Sequence, residues 1–140
     1  MAAYKNLSLN QVRLLAQTLA HDLRARSAVI GLTGPLGSGK TVFAKAFGKG
    51  LGLKKITSPT FVIMHEYRAK MIRLYHLDLY RLKKQSELKG LGLNEIRMHP
   101  RRIILIEWVE KFPKLKKSCD LLVTFKVNPN DLRDITVKTA

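Results

Sequence analysis

The chain has 140 residues, 46% of them hydrophobic, and its 26 Lys and Arg outnumber 10 Asp and Glu for a formal charge of +16. No apolar run approaches the ~18 residues of a membrane span, and "MAAYKNLSLNQ" lacks the apolar core of a secretory signal. The single Cys119 can close no intrachain disulfide. A helical membrane protein and a disulfide scaffold are thereby excluded, and one cytoplasmic domain over residues 1–140 is expected.

In chain order, "LSLNQVRLLAQTLAHDL" places Leu9, Val12, Leu15, Ala16, Leu19 and Leu23 at helical spacing. Ser8 and Gln11 form a capping box ahead of it. "SAVIGLT" reads as a buried strand, and "KTVFAKAFGKGLGL" as a helix with Phe43, Phe47 and Leu51 on one face, ended by Gly50 and Gly52. "TFVIMHEY" and "MIRLYHLDLY" are strands separated only by "RAK", hence an antiparallel hairpin. "KKQSELKGLGLNEIRMHP" is polar and glycine-punctuated, with short helices. "RRIILIEW", "CDLLVTFKV" and "RDITVKT" are three further strands, the last after the turn "NPND". The pattern is α/β with a mixed sheet.

Between the first buried strand and the helix lies Gly34-x4-Gly39-Lys40-Thr41, a complete phosphate-binding P-loop pattern in its required strand–helix setting. Glycines let the backbone curl around a phosphate with its N–H groups inward. Lys40 is placed to reach the β- and γ-phosphates, the Thr41 hydroxyl to ligate Mg²⁺, and the helix start to add its positive dipole end.

Nucleotide hydrolysis also needs acids for metal and water. Glu107 ends the apolar run "IILI", either delivered to the phosphate side of the sheet or merely facing solvent. In "YHLDLYR", alternation puts Tyr75, Leu77 and Leu79 on one face and His76, Asp78 and Tyr80 on the other. Asp78 there is either a metal-linked or water-orienting acid or a solvated strand acid. "TSPTF" is either a γ-phosphate-sensing loop or an ordinary turn. Trp108 is either core or a nucleotide-site gate. No arginine is fixed at the site by sequence alone.

The charge is spread: residues 1–60 carry nine bases and one acid, and residues 61–140 seventeen bases and nine acids. Such a field attracts polyanions, RNA and nucleotides first; a generally basic proteome is the other explanation.

"GPLGSGKT", "ITSPTF" with "HEY", "YHLDLYRL", "SELKGLGL" and "LIEW", in this order over residues 34–108, together resemble the TsaE family, small P-loop ATPases of bacterial tRNA threonylcarbamoyladenosine synthesis. The resemblance implies a P-loop NTPase-like three-layer fold and slow hydrolysis of ATP with Mg²⁺. It also implies association with TsaB and TsaD, which transfer a threonylcarbamoyl group to the adenosine beside the anticodon, with tRNA contacted directly or indirectly and no membrane. By position, it assigns Lys40, Asp78 and Glu107 to catalysis, and Thr41, Glu107 and Asp78 to the metal. Gly34, Gly37, Ser38, Gly39, Lys40, Thr41, Val42, Ser58, Thr60 and Trp108, with Gln11 from the N-terminal segment, fall to the nucleotide. Three positions depart from the pattern. Pro35 stands where the family has an acid, Val42 where it often has a second hydroxyl, and "RLKKQSEL" replaces an acidic stretch. A small-molecule kinase shares the loop but needs an arginine-bearing lid, for which the chain has no insertion. A basic RNA-binding module with a vestigial nucleotide site is the remaining alternative.

Overall fold

The computed structural model describes residues 1–57 and 63–139. In chain order the elements are β1 (Ala2–Leu7), α1 (Leu9–Leu23), β2 (Ala28–Thr33), α2 (Lys40–Gly50), β3 (Met64–Arg68) and β4 (Arg73–Asp78). Then follow α3 (Gln85–Lys89), α4 (Leu93–Arg97), β5 (Arg102–Glu107), α5 (Pro113–Lys117), β6 (Leu121–Asn128) and β7 (Leu132–Thr139). One seven-stranded sheet runs β1-β7-β6-β2-β5-β4-β3. Its centre is parallel: β2 lies between β5 and β6, and β4 runs beside β5. Antiparallel neighbours complete both flanks, β3 as a hairpin on β4 and β7 on β6, with β1 outermost. The expected mixed α/β sheet and the expected hairpin are both present.

Strand β2 is buried along its whole length, as a parallel strand covered on both faces must be, which is why it reads as a continuous apolar run. One face of the sheet is covered by α1 and α2, through Val12, Ala16, Ala20, Phe43 and Phe47 packed on Ile30, Leu32, Leu105 and Phe125. The other is covered by α3, α4 and α5, through Leu88, Ile96 and Leu115 packed on Tyr75, Leu77, Ile104 and Ile106. Three layers result. Phe43 and Phe47 are fully buried, and Phe43 meets Phe125 edge-on at 5.7 Å. Each such burial contributes about 1.5–3 kcal/mol, so α2 is held firmly at the height of the glycine loop.

Helix α1 begins with the expected capping box: Gln11 N donates to Ser8 Oγ (3.3 Å), and Ser8 N donates to Gln11 Oε1 (2.8 Å). Its stripe of small residues lets α2 approach closely. A Cβ on Gly50 would come within 2.9 Å of both the Ala20 Cβ and the Gln17 backbone.

Two elements go beyond the sequence expectation. Strand β1 is almost wholly exposed and carries no alternation; it exists because β7 offers an unpaired edge. Helix α5 is five residues long and buries only Leu115, too short for periodicity to register. The strand expected from Thr60 is described from Met64 onward; its first residues, like Ser58 and Thr60, lie outside the described residues.

Candidate nucleotide site

Parallel strands deliver their C-terminal ends to one edge of a sheet, where open α/β folds bind ligands. Here β2 runs into the glycine loop, and β4 and β5 end at Asp78 and Glu107, which are direct register partners. Leu74 and Leu105 face the α1–α2 core, while Tyr75, Leu77 and Leu79 face the opposite one. Alternation therefore turns His76, Asp78 and Glu107 towards α2. A cleft of about 350 Å³, within the usual ~300–1,000 Å³ range for ligand pockets, is lined by residues 36–42, Asp78, Tyr80, Glu107 and Trp108, together with Leu9, Asp131 and Arg133.

The loop needs its glycines. Gly37 (φ 78°) and Gly39 (φ 107°) adopt left-handed backbone, and a Cβ on Gly34 would come within 2.8 Å of the Phe125 carbonyl oxygen. Gly39 is the N-cap of α2 and supplies no side-chain cap, leaving first-turn N–H groups for an anion. Lys40 folds back over this loop. Its Nζ donates to the carbonyls of Gly34 and Pro35 and lies 3.4 Å from the centre of the Trp108 ring. Burial pulls the Lys40 pKa down, and the carboxylates of Glu110, Glu107 and Asp78 partly oppose that.

Thr41 Oγ1 donates to Glu107 Oε1 (3.0 Å), and Glu107 Oε2 sits 2.6 Å from His76 Nε2. Glu107 is 1% exposed and His76 wholly buried, which removes the solvent-facing alternative for Glu107. The imidazole locks one carboxylate oxygen, and the other stays on the hydroxyl at the base of the loop. Among the described residues no three His, Cys, Asp or Glu form an all-protein metal cage. The donor set nevertheless fits Mg²⁺, a hard ion that takes one or two protein oxygens and completes its shell with phosphate and water. Ser38 Oγ is buried beside the same loop and finds no partner among the described residues.

Asp78 lines the cleft, and its Oδ1 accepts from Tyr80 N (3.0 Å). Burial raises its pKa; the Tyr80 N–H opposes this, and the Glu107 carboxylate reinforces it. A carboxyl whose folded pKa lies above its unfolded value of 3.8 costs stability progressively as pH rises through that interval. Asp78→Asn keeps the acceptor for Tyr80 and removes the charge. At pH 7 it should raise Tm by about 2–5 °C and lower any ATP turnover about 10²–10³-fold. Differential scanning calorimetry with a phosphate-release assay checks both.

Trp108 takes a left-handed backbone (φ 63°) and donates its N–H to Leu32 O (3.1 Å). That turn sets the half-buried indole between Lys40 and Tyr80, whose ring lies 5.0 Å away. Val42 also lines the cleft. Gln11 does not: its amide serves the cap, and Leu9 is the residue of that segment in the lining.

Two charged residues at the site escaped sequence reasoning. Glu110 Oε2 accepts from Gly34 N (3.0 Å), so a carboxylate does reach the first loop glycine although residue 35 is proline. Nothing local signals this, because the 3-10 turn at Val109–Lys111 is aimed by the Trp108 turn before it. Arg133, 2% exposed, donates from Nε to Ser38 O (3.2 Å) and from its other nitrogens to Asp131. Its signal was present: in "RDITVKT" it shares a face with Ile135 and Val137, an arginine where a core residue belongs.

Residues 7–135 match the family model of the threonylcarbamoyl adenosine biosynthesis protein TsaE. The tRNA threonylcarbamoyladenosine biosynthesis protein TsaE of Bacillus subtilis is 40% identical over 109 residues, covering 77% of this chain and 67% of that protein. Its namesake from Nostoc is 41% identical over 129 residues, covering 88% and 75%. The crystal structure of Bacillus subtilis YdiB superposes with a TM-score of 0.80 at 28% identity, over 99% of this chain and 84% of that one. A P-loop at the C-terminal edge of a mixed sheet, matched along nearly its whole length by one family model, places this chain in the TsaE family.

Proposed function

We propose that this protein is an ATPase of tRNA threonylcarbamoyladenosine synthesis that acts with TsaB and TsaD. The observation that carries the reading is the buried chain Thr41–Glu107–His76 at the base of the glycine loop, together with the names of its relatives. In this reading the loop amides of Gly37, Ser38 and Gly39 and the Lys40 ammonium hold the triphosphate, with Val42, Trp108 and Arg133 lining the cleft. Thr41 and Glu107 hold Mg²⁺, which when bound neutralises charge on the phosphate oxygens. Asp78 orients the attacking water, and Ser58 and Thr60 respond to the γ-phosphate. Arg133 is already engaged by Ser38 and Asp131, which keeps turnover slow in isolation; a partner group supplying the missing charge is worth ~10³–10⁵ in rate.

Reconstitution with TsaB, TsaD, ATP and unmodified tRNA tests this. Wild type should release phosphate to water and sustain product formation, and Asp78→Asn should do neither. Product formation undiminished by Asp78→Asn, or γ-phosphate transfer to a small acceptor, would overturn the reading. A direct binding signal is also expected. Trp108 is the only tryptophan, and drawing the Lys40 ammonium off its ring onto a phosphate changes the indole environment. ATP with Mg²⁺ should therefore shift Trp108 emission saturably, and Lys40→Ala should flatten the titration.

A further inference from the structure

We propose that the edge of the sheet opposite the nucleotide cleft is an RNA-binding surface that holds a stretch of phosphodiester backbone. Asp78 and Glu107 end β4 and β5; Arg73 and Arg102 begin them. At about 3.3 Å per residue, roughly 17 Å of strand separates the two edges. At the far edge Arg68 pairs in register with Arg73, and Arg73 with Arg102, so three arginines stand side by side across β3, β4 and β5. Like charges directly opposite one another destabilise a sheet. Only Arg68 finds a carboxylate there, Glu66 at 3.5 Å. Among the described residues none of Arg24, Lys70, Arg73 and Arg101 is paired with an acid. The Arg102 guanidinium is taken up by the Arg97 carbonyl oxygen, to which its Nε (3.3 Å) and one terminal nitrogen (3.0 Å) donate; the charges of Arg24, Lys70, Arg73 and Arg101 are left for an external anion to meet.

The shape of this edge favours a polymer. Arg68, Lys70, Arg73 and Arg101 line one groove, and Arg24, Lys70 and Arg101 line a second; Lys70, Met71, Ile72 and Arg101 belong to both. Neither groove has an Asp or Glu in its wall. A mononucleotide needs one such groove. Two joined grooves that continue from one sheet face to the other suit successive phosphates of one strand. Met71, 61% exposed at the hairpin tip, gives sugars and bases an apolar surface. The hairpin end is held in shape by Ala69 N donating to Ile72 O (2.9 Å) and Arg73 N donating to Arg101 O (3.0 Å). RNA bound here leaves the nucleotide cleft open. That the RNA is tRNA rests on the function proposed above; that the surface takes RNA rests on the charge and shape of this edge.

The test uses the full chain, a fluorescent unmodified tRNA transcript and anisotropy measured across a salt series. The triple variant Arg68→Gln, Lys70→Gln, Arg101→Gln should weaken binding at least ~10-fold at moderate salt. It should also reduce the slope of log K against log salt by about 2–3, each lost phosphate contact contributing ~0.7–0.9. Circular dichroism and ATP hydrolysis of this variant should match wild type, since none of the three lines the nucleotide cleft. The control Lys114→Gln, Lys116→Gln, Lys117→Gln removes equal charge from α5 and should cost less than ~3-fold. Equal losses in the two variants, or none in the first, would overturn the proposal in favour of diffuse charge. Polyglutamate competing as well as tRNA would overturn it in favour of an acidic protein. ATP hydrolysis without tRNA binding sinks this inference alone; tRNA binding without hydrolysis sinks only the proposed function.

Discussion

Glu107→Ala is expected to destabilise the fold by about 2–4 kcal/mol and to abolish the proposed ATP turnover. Removing the carboxylate strands two polar groups at once: His76 Nε2, whose ring is wholly buried and whose Nδ1 has no partner among the described residues, and the Thr41 hydroxyl. Deleting one member of a buried hydrogen-bonded pair costs more than the pair contributes, because the survivor stays desolvated. Glu107→Gln separates the two consequences. Its amide can accept from Thr41 and meet the imidazole, so urea denaturation should find most of the stability restored, within about 1 kcal/mol. The proposed turnover should remain at least ~10²-fold down, since a neutral amide would be a poor substitute for a carboxylate beside the proposed Mg²⁺. Turnover surviving in either variant would remove Glu107 from the proposed chemistry.

For Lys40→Ala the expected result is the reverse pairing: loss of function with an undamaged fold. The proposed γ-phosphate contact disappears, and turnover should fall about 10²–10³-fold, with weaker ATP binding. Stability at neutral pH should hold or rise, because burial disfavours the ammonium and lowers its pKa below 10.5. The unfolded chain then binds more protons than the folded one in the interval below 10.5. Wild-type stability therefore rises with pH through that interval. Lys40→Ala should lose that rise, and unfolding curves at pH 7 and pH 10 read the difference directly. A variant that unfolds at pH 7 would show instead that the contacts to Gly34 and Pro35 are structural.

What was legible in the sequence was legible because it is local. A glycine loop followed by Lys40 and Thr41 needs only the strand before it and the helix after it. Asp78 and Glu107 were each readable as acids at the end of a patterned strand, whereas the parallel pairing of β4 with β5 that brings the two ends together is seen only in the fold. The capping box at Ser8 and Gln11 was readable for the same reason, being complete within one turn. The resemblance named the family from motifs that span the loop and both acids.

Other parts of the site come from elsewhere in the chain. Glu110 reaches Gly34 across 76 residues, and Arg133 reaches Ser38 across 95. Their positions depend on a left-handed turn at Trp108 and on the return of β7 beside β6. Solvent exposure was undecidable for Glu107 until His76, 31 residues away, was seen to seal it in. The basic edge is of the same kind. Composition supplied +16 charges, and strand register alone aligned Arg68, Arg73 and Arg102. Sequence by itself determined which backbone could bind phosphate, since that depends on neighbours in the chain. Tertiary structure decided which charges face that backbone and which gather at the opposite edge, because charges interact through space.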